Sequence, residues 1–254
     1  MSSSPVAIVA GGSRGIGRAT VRRLLRDGAR VAFCGRDEAT GRAAEADLAA
    51  LGDVLFSSCD VGCEQELAAF VAGVAERMGP PTILVNSAGV NATYVATEMS
   101  AEQWDAFFAV DLKAAWLSVK HVLPHMLAVG AGAIVNVSSI HAVATRESFF
   151  PYAAAKSGLV GLTRSLALDY GGANVRVNCV CPGFTRTRLV EESMQLAADP
   201  AAAERAMIAG VALGRIAEPA EVASVIAFLV SEDASYVTGS TVLVDGGLTA
   251  RRAG

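Results

Sequence analysis

A tyrosine and a lysine four residues apart, Tyr152 and Lys156, have the spacing in this chain that most suggests chemistry. Residues at this spacing lie on one face of a helix, with side chains close enough to interact. A free phenol has a pKa of about 10 and is a poor acid or base near neutral pH. A fixed ammonium beside a phenol favours the phenolate, which suits proton transfer to or from a carbonyl or alcohol oxygen. The same spacing arises by chance on many helices, so the pair needs support from other segments.

A glycine-rich turn near the N-terminus gives the first support. The apolar run 5–10 predicts a buried parallel strand, and an amphipathic helix follows the turn to about Asp27. The turn itself is Gly11-Gly12-Ser13-Arg14-Gly15-Ile16-Gly17. Glycines here allow a sharp turn and a close approach of the backbone to a pyrophosphate, which lies at the helix N-terminus. The segment predicts a phosphate-binding corner, and a glycine-rich loop without a ligand is the alternative.

A pair of serines, Ser138 and Ser139, ends a third informative segment, the apolar run 134–139. The run predicts a central strand, and ligands of open α/β sheets bind at the carboxyl ends of strands. A Ser139 hydroxyl at that edge could hydrogen-bond a substrate oxygen. A serine that only caps the strand is the alternative.

Taken in order along the chain, these segments resemble the motifs of the short-chain dehydrogenase/reductase family. The segment from Ala10 to Gly17 is similar to the family's Thr-Gly-x3-Gly-x-Gly, with Ala10 in place of Thr. Further matches are Asp60-Val61, Asn86-Ser87-Ala88-Gly89, Pro182-Gly183 with Thr187, and Asp245-Gly246-Gly247. The resemblance covers nearly the whole chain, and the overall pattern looks like the 3-oxoacyl-carrier-protein reductase branch of the family.

The resemblance implies hydride transfer between a nicotinamide and a carbonyl carbon. It makes Tyr152 the general acid, Lys156 its partner and ligand of the nicotinamide ribose, and Ser139 the donor to the substrate oxygen. It also implies a homotetramer or homodimer, formed through the helices near 101–128 and 151–170 and the C-terminal strand. With Arg14 and Arg36 added by the charge argument given below, the predicted cofactor-binding residues are Gly11, Ser13, Arg14, Gly15, Ile16, Gly17, Arg36, Asp60, Val61, Asn86, Ala88, Gly89, Tyr152, Lys156, Pro182, Gly183 and Thr187.

One position departs from the family pattern in a way that matters for proton transfer. The family usually has a catalytic Asn in a Val-Asn-Leu context, and this chain has Val110-Asp111-Leu112. In the family this position holds a water that links to the lysine and completes a proton relay. We therefore predict that Asp111 is a catalytic relay member, with an altered proton balance if its carboxylate is ionised near Lys156.

The choice between NAD and NADP depends on the end of the second predicted strand. A carboxylate there would bind the ribose hydroxyls of NAD and repel the 2′-phosphate of NADP. This chain has Gly35 at that position, followed by Arg36, and Arg14 comes from the glycine turn. Two guanidinium groups could bind one phosphate, whereas Asp37 suits the N-cap of the next helix. The sequence predicts NADP(H); two simply solvated arginines are the alternative.

The substrate pocket is predicted from the segments that flank Tyr152. We expect His141, Phe149, Phe150 and Phe184 to line it, under a helical flap over about 184–212. The leading function is an NADPH-dependent reductase of a ketone or 3-oxoacyl group. An alcohol, sugar or steroid dehydrogenase working oxidatively and a non-catalytic NADP-binding regulatory protein are the alternatives, and the intact Ser139, Tyr152 and Lys156 argue against the last.

Apolar strand patterns alternate with helical patterns from end to end, which predicts one α/β domain over 1–254. The fold expected is a Rossmann-type doubly wound parallel sheet of seven strands with helices on both faces. The strands are expected near 6–10, 30–34, 53–57, 82–86, 132–138, 174–180 and 241–244. The helices are expected near 15–27, 38–51, 63–78, 101–128, 151–170 and 219–231.

Composition excludes several other classes of protein. The 254 residues are 52% hydrophobic and 18% charged, with a net charge of -4 and no basic stripe that would indicate nucleic acid. No apolar run approaches the ~20 residues of a membrane span. The first strand leaves no room for a signal peptide, so we expect a cytoplasmic protein. The five cysteines lack zinc-site spacing, which predicts reduced thiols and no metal.

Overall fold

The computed structural model describes residues 4–90, 93–195 and 199–250. In this part of the chain, parallel strands form one sheet in the order β3-β2-β1-β4-β5-β6-β7. The strands are β1 (Val6–Ala10), β2 (Arg30–Gly35), β3 (Val54–Ser58), β4 (Pro81–Asn86), β5 (Gly132–Val137), β6 (Val175–Pro182) and β7 (Thr241–Val244). The predicted seven-stranded doubly wound sheet is confirmed.

The helices cover both faces of this sheet. They are α1 (Gly15–Arg26), α2 (Glu38–Leu48), α3 (Glu64–Met78), α4 (Ala101–Phe108), α5 (Ala114–Val129), α6 (Phe150–Tyr170), α7 (Arg188–Gln195), α8 (Pro200–Ala209) and α9 (Pro219–Val230). Among the described residues, none of these helices combines the length and the apolarity that crossing a membrane requires.

Alternation along the strands divides the core into two layers. In β1, Ile8 faces the cluster that packs under α3 and α5, whereas Val9 faces the cluster that packs under α1 and α9. Successive strand side chains point to opposite faces of a sheet, so a strand covered on both faces must be apolar throughout. All five residues of β1 are buried, which explains why the short run 6–10 is so evenly apolar.

The sheet order creates the place where a ligand can bind. β1 lies between β2 and β4, so the chain leaves β1 toward one edge of the sheet and later returns on its other side. At such a switch point the two connections diverge beyond the carboxyl ends of the strands and leave a crevice.

The predicted helix near 101–128 is one continuous helical run with a π-helical turn inside it. α4 begins with a capping box between Ser100 and Gln103, and the π turn covers Ala109–Lys113 before α5 begins. A π turn inserts one extra residue into a helix and often marks a functional site. Here it carries Asp111.

The predicted flap contains two short helices, α7 and α8. Residues 196–198, between them, lie outside the described residues, as do 251–254. Arg186 forms ion pairs with Glu204 in α8 at 2.8 Å and with Glu218 at 3.4 Å. The extent of the single domain, 1–254, stays a prediction.

Candidate active site

A cleft of about 510 Å³ opens at the carboxyl ends of the strands. It is lined by the glycine turn at one side, by the segments that follow β2, β3 and β4, and by parts of α6 and of the chain after β6. Predicted residues that line it are Gly11, Ser13, Arg14, Gly15, Ile16, Gly17, Arg36, Asp60, Val61, Ala88, Gly89, Asp111, Ser139, Tyr152, Lys156, Pro182, Gly183 and Thr187. The structure thus brings most of the predicted site residues together.

The glycine turn packs too tightly for side chains at two positions. A Cβ on Gly11, whose φ is +83°, would lie 2.6 Å from the backbone nitrogen of Ala88. A Cβ on Gly17 would lie 2.1 Å from the carbonyl oxygen of Gly11. These contacts press the turn against the start of α1 and against the segment after β4.

The start of α1 is suited to an anion. Its N-cap residue, Arg14, makes no side-chain cap hydrogen bond, so the side chain leaves the first N–H groups of the helix free to bind a ligand. The buried Ser13 hydroxyl oxygen beside them has no hydrogen-bond partner among the described residues. A bound pyrophosphate would satisfy both sets of groups, so the residues present fit a dinucleotide.

Two arginines lie at the end of the cleft predicted for adenosine, and only one of them forms an ion pair with a described residue. A terminal nitrogen of Arg14 lies 3.1 Å from a carboxylate oxygen of Asp37 and also donates to the Thr40 hydroxyl. Asp37 caps α2 by accepting from the Thr40 N–H at 2.9 Å, as the sequence predicts. Hydrogen bonds from Thr40 and the charge of Arg14 hold the pKa of this carboxyl below its usual value. Arg36 is exposed and forms no ion pair among the described residues.

Asn86 lies beneath the cleft and does not line it. Its amide nitrogen donates to the Asn136 side-chain oxygen at 2.9 Å, and Asn136 in turn donates to the Thr163 hydroxyl at 2.9 Å. This buried chain of hydrogen bonds joins β4, β5 and α6. The predicted contact of Asn86 with a cofactor is not supported by this placement, because the side chain points into the core.

Tyr152 and Lys156 lie one turn apart in α6, as the spacing predicts. The Lys156 ammonium lies 5.4 Å from the centre of the Tyr152 ring and 3.5 Å from the carbonyl oxygen of Val137. The Ser138 hydroxyl donates to the backbone carbonyl of Lys156 at 2.7 Å and so ties α6 to the end of β5. Ser139, next in the chain, accepts at its Oγ from the backbone N–H of His141 at 3.2 Å.

Asp111 reaches the same point from the π turn. Its Oδ1 lies 3.2 Å from the Lys156 ammonium, and its Oδ2 accepts from the Val90 N–H at 2.9 Å. Burial raises the pKa of the Asp111 carboxyl against the opposing pull of Lys156. Burial alone would lower the pKa of the Lys156 ammonium, but Tyr152 and Asp111 outweigh burial and raise that pKa above its usual value.

The four residues predicted for the substrate pocket are absent from the lining of the cleft, and two of them, His141 and Phe149, form an aromatic wall against Tyr152. His141 stacks on Phe149 with ring centres 4.7 Å apart, and both meet the Tyr152 ring edge-on. Phe150 stacks instead with Trp104 of α4. Phe184 lies beside β6, where its carbonyl accepts from the Ala217 N–H. Burial, and then the charge of Arg146, lower the pKa of His141.

Several cleft residues were not predicted. Ser87 and Ser138 follow strands directly and Thr185 lies three residues after β6, so their position after apolar runs could have indicated them. Thr40 lies in α2, and no pattern in the surrounding sequence indicates that it would line the cleft. All five cysteines are free thiols, and no group of His, Cys, Asp or Glu that could hold a metal occurs within the described residues.

Comparison with known proteins adds to this geometry. Residues 10–249 match the model of a family described as enoyl-(acyl carrier protein) reductase. The chain is 40% identical to cis-4-hydroxycyclohexanecarboxylate dehydrogenase of Sinomonas cyclohexanicum, over 96% of each chain. It is 36% identical to 3-oxoacyl-[acyl-carrier-protein] reductase of Chlamydia pneumoniae, over 95% of this chain and 96% of the other. A solved structure of actinorhodin polyketide ketoreductase with NADPH is similar, with a TM-score of 0.94, 33% identity and coverage of 99% and 100%.

Proposed function

Because the chain belongs to the short-chain dehydrogenase/reductase family and is an NAD(P)-dependent oxidoreductase, we propose that it reduces a ketone or 3-oxoacyl group with NADPH. The observation that carries this proposal is the meeting of Ser139, Tyr152 and Lys156 at one part of the cleft, with the glycine turn and Arg36 at another part. The two parts suit a reacting carbonyl and the phosphates of a dinucleotide, respectively.

The chain's own residues would transfer the proton to the substrate oxygen and stabilise the negative charge that develops there. A nicotinamide cofactor bound in the cleft would supply the hydride chemistry. The Ser139 Oγ already accepts from the His141 N–H, so its own proton is available to the substrate oxygen and stabilises charge there. Tyr152 breaks its O–H bond and gives the proton to that oxygen, and it takes the proton back in alcohol oxidation. Lys156 keeps a positive charge beside the phenol.

Each part of the cofactor has candidate ligands in the cleft. The glycine turn and the start of α1 would hold the pyrophosphate, and the Asp60 carboxylate and Val61 would meet the adenine. Pro182, Gly183 and Thr187 would lie beside the nicotinamide. These assignments follow from the family resemblance and the lining of the cleft.

The preference for NADPH rests on charge at the adenosine end. Gly35 leaves no carboxylate at the end of β2, and Arg36 is free to meet a phosphate. The Asp37 carboxylate lines the cleft as well, but Thr40 and Arg14 already occupy it. A guanidinium–phosphate hydrogen bond contributes about 1.5–3 kcal/mol, the range for hydrogen bonds that involve charged groups.

The test is oxidation of NADPH and of NADH against a panel of ketones, diketones and 3-oxoacyl thioesters. We expect turnover that favours NADPH, and we expect Arg36→Asp to lower the NADPH/NADH ratio of kcat/KM by about tenfold or more. Arg26→Asp makes the same change at the far end of α1, outside the cleft, and should leave the ratio unchanged. Turnover with NADH alone would refute the phosphate argument and leave the catalytic residues in place.

An oxidative dehydrogenase is the second candidate. It is favoured by the relative named for oxidation of a hydroxycyclohexanecarboxylate, which matches this chain over 96% of its length. A panel of alcohols with NADP⁺ and NAD⁺ distinguishes it from the reductase, since its best substrate would then be an alcohol. Tight NADPH binding without turnover in either panel would instead indicate a non-catalytic protein.

A further inference from the structure

We propose that Asp111 is an ionised counter-ion of Lys156, and that through this lysine it sets the pH range in which Tyr152 can transfer its proton. The proposal rests on the roles proposed above for Tyr152 and Lys156. Asp111 would act through Lys156, which it contacts, so it is a positioning residue.

The pair is enclosed in the protein. The Asp111 side chain is 0% exposed and the Lys156 side chain 5% exposed, with 3.2 Å between Oδ1 and Nζ. Gly89 makes room for the pair, because a Cβ there would lie 3.1 Å from Oδ1 and 3.2 Å from Nζ. A buried charge without a partner is costly, so each member of this pair holds the other in its charged form.

The hydrogen bonds of Asp111 favour a carboxylate over an amide. Oδ2 must accept, because the Val90 N–H points at it from 2.9 Å. An asparagine that kept this bond would turn its NH2 group toward the Lys156 ammonium, so two donors would face each other. An ionised carboxylate instead presents an acceptor to both neighbours. Its Oδ1 has no aligned hydrogen bond within the described residues, which leaves the ammonium as its close contact.

The titratable groups around Lys156 come from three elements. Tyr152 faces it from α6, Asp111 from the π turn, and Cys179 and Cys181 from β6. Contact with Cys179 lowers the pKa of the Cys181 thiol to about 7, and contact with Cys181 raises that of Cys179. Asp111 supplies the carboxylate in this set, and it offsets the ammonium's charge next to the phenol.

The direction of the effect follows from this balance. Carbonyl reduction needs the phenol and is lost as the pH rises, whereas alcohol oxidation needs the phenolate and begins as the pH rises. Without the Asp111 charge, Tyr152 still supports the Lys156 ammonium, and the ammonium charge, no longer offset by a carboxylate, would favour the phenolate. Both midpoints should therefore move to lower pH, by about one unit, at the lower end of what a single close charge produces.

The first experiment compares the pH dependence of kcat/KM in both directions for wild type, Asp111→Asn and Asp105→Asn. Asp105 lies exposed in α4, so its change removes a carboxylate from the same helical run outside the cleft. We expect only Asp111→Asn to lower both midpoints. All three proteins keep Cys179 and Cys181, so the comparison isolates the carboxylate. Superimposed profiles, or a shift to higher pH, would overturn the proposal.

The second experiment needs neither turnover nor a variant. Asp111 is the one aspartate that is fully buried among the described residues, so a protonated aspartate at pH 7 would be assigned to this position. Infrared spectra of wild-type protein labelled with 13C at aspartate carboxyls should show no protonated-carboxyl band at pH 7. Such a band would show that Asp111 is neutral and would overturn the proposal even if the enzyme proves to be an active NADPH-dependent reductase.

Discussion

The hydroxyl of Ser139 illustrates how a single hydrogen bond can define what a residue is able to do. Its oxygen accepts from the His141 N–H at 3.2 Å, and its neighbour Ser138 spends its own proton on the Lys156 carbonyl at 2.7 Å. The Ser138 hydroxyl therefore binds the backbone of α6, whereas the Ser139 hydroxyl can still donate its proton to a substrate. Charge that develops on the substrate oxygen would meet the Ser139 and Tyr152 hydroxyls together.

Tyr152→Phe removes only the proton donor. We expect kcat to fall by about 10²-fold or more, because a general acid contributes 10²–10⁴-fold. The ring that packs against Phe107 and Phe149 remains, so folding and NADPH affinity should be retained. Steady-state kinetics with a fluorescence titration of NADPH measures both quantities. Tyr170→Phe removes a phenol from the far end of the same helix and serves as the control. A Tyr152→Phe variant within tenfold of wild type would contradict the assignment.

At the scale of elements, apolar periodicity predicts the strands well because each lies in a sheet covered on both faces. The π turn at Ala109–Lys113 was not predicted from the sequence. Its residues are ordinary in a helix, and the turn packs against α6, which lies about forty residues away in sequence. The inward turn of Asn86 was not predicted for the same reason, since its partners Asn136 and Thr163 belong to other elements.

The connection from β1 to α1 is an element whose shape depends on missing side chains. In Gly17→Ala, the new methyl group would lie 2.1 Å from the Gly11 carbonyl oxygen, so α1 must shift. We expect a loss of about 1–3 kcal/mol in the free energy of unfolding, as for other overpacked sites. Because the same shift moves the phosphate-binding turn, NADPH affinity should fall as well.

The matched control for that variant is Gly73→Ala in α3. A Cβ at Gly73 meets nothing within 4 Å, and alanine is favoured over glycine in a helix by about 0.5–1 kcal/mol. In urea unfolding, the free energy of unfolding should therefore fall in Gly17→Ala and rise in Gly73→Ala. NADPH affinity should be unchanged in Gly73→Ala. Equal stability of the two proteins would mean that the turn tolerates a methyl group and is not tightly packed.

At the scale of the whole molecule, the cleft exists because one topological rule gathers distant segments. Segments from Gly11 to Val190 meet at the carboxyl ends of parallel strands, and that edge could be predicted from strand order alone. The direction of each side chain could not be predicted in this way, because it is fixed by packing against the neighbouring layer of helices or strands. The aromatic wall of Phe149 and His141 packs against Tyr152 and does not line the cleft for this reason, although both residues precede Tyr152 closely in sequence.

Assembly is the remaining property at this scale. Large apolar side chains are exposed on the two helices that the family resemblance assigns to subunit contacts: Leu168 of α6 is 85% exposed and Trp116 of α5 is 45% exposed. Burying such side chains between copies would stabilise an oligomer at about 25 cal/mol per Å² of apolar surface. We expect sedimentation equilibrium to give a mass two or four times that of the 26.0 kDa chain. Leu168→Glu should shift the protein toward smaller species, whereas Val95→Glu, at an exposed loop residue, should not. A monomeric wild-type protein would contradict the expectation, and an oligomer indifferent to Leu168→Glu would place the interface away from α6.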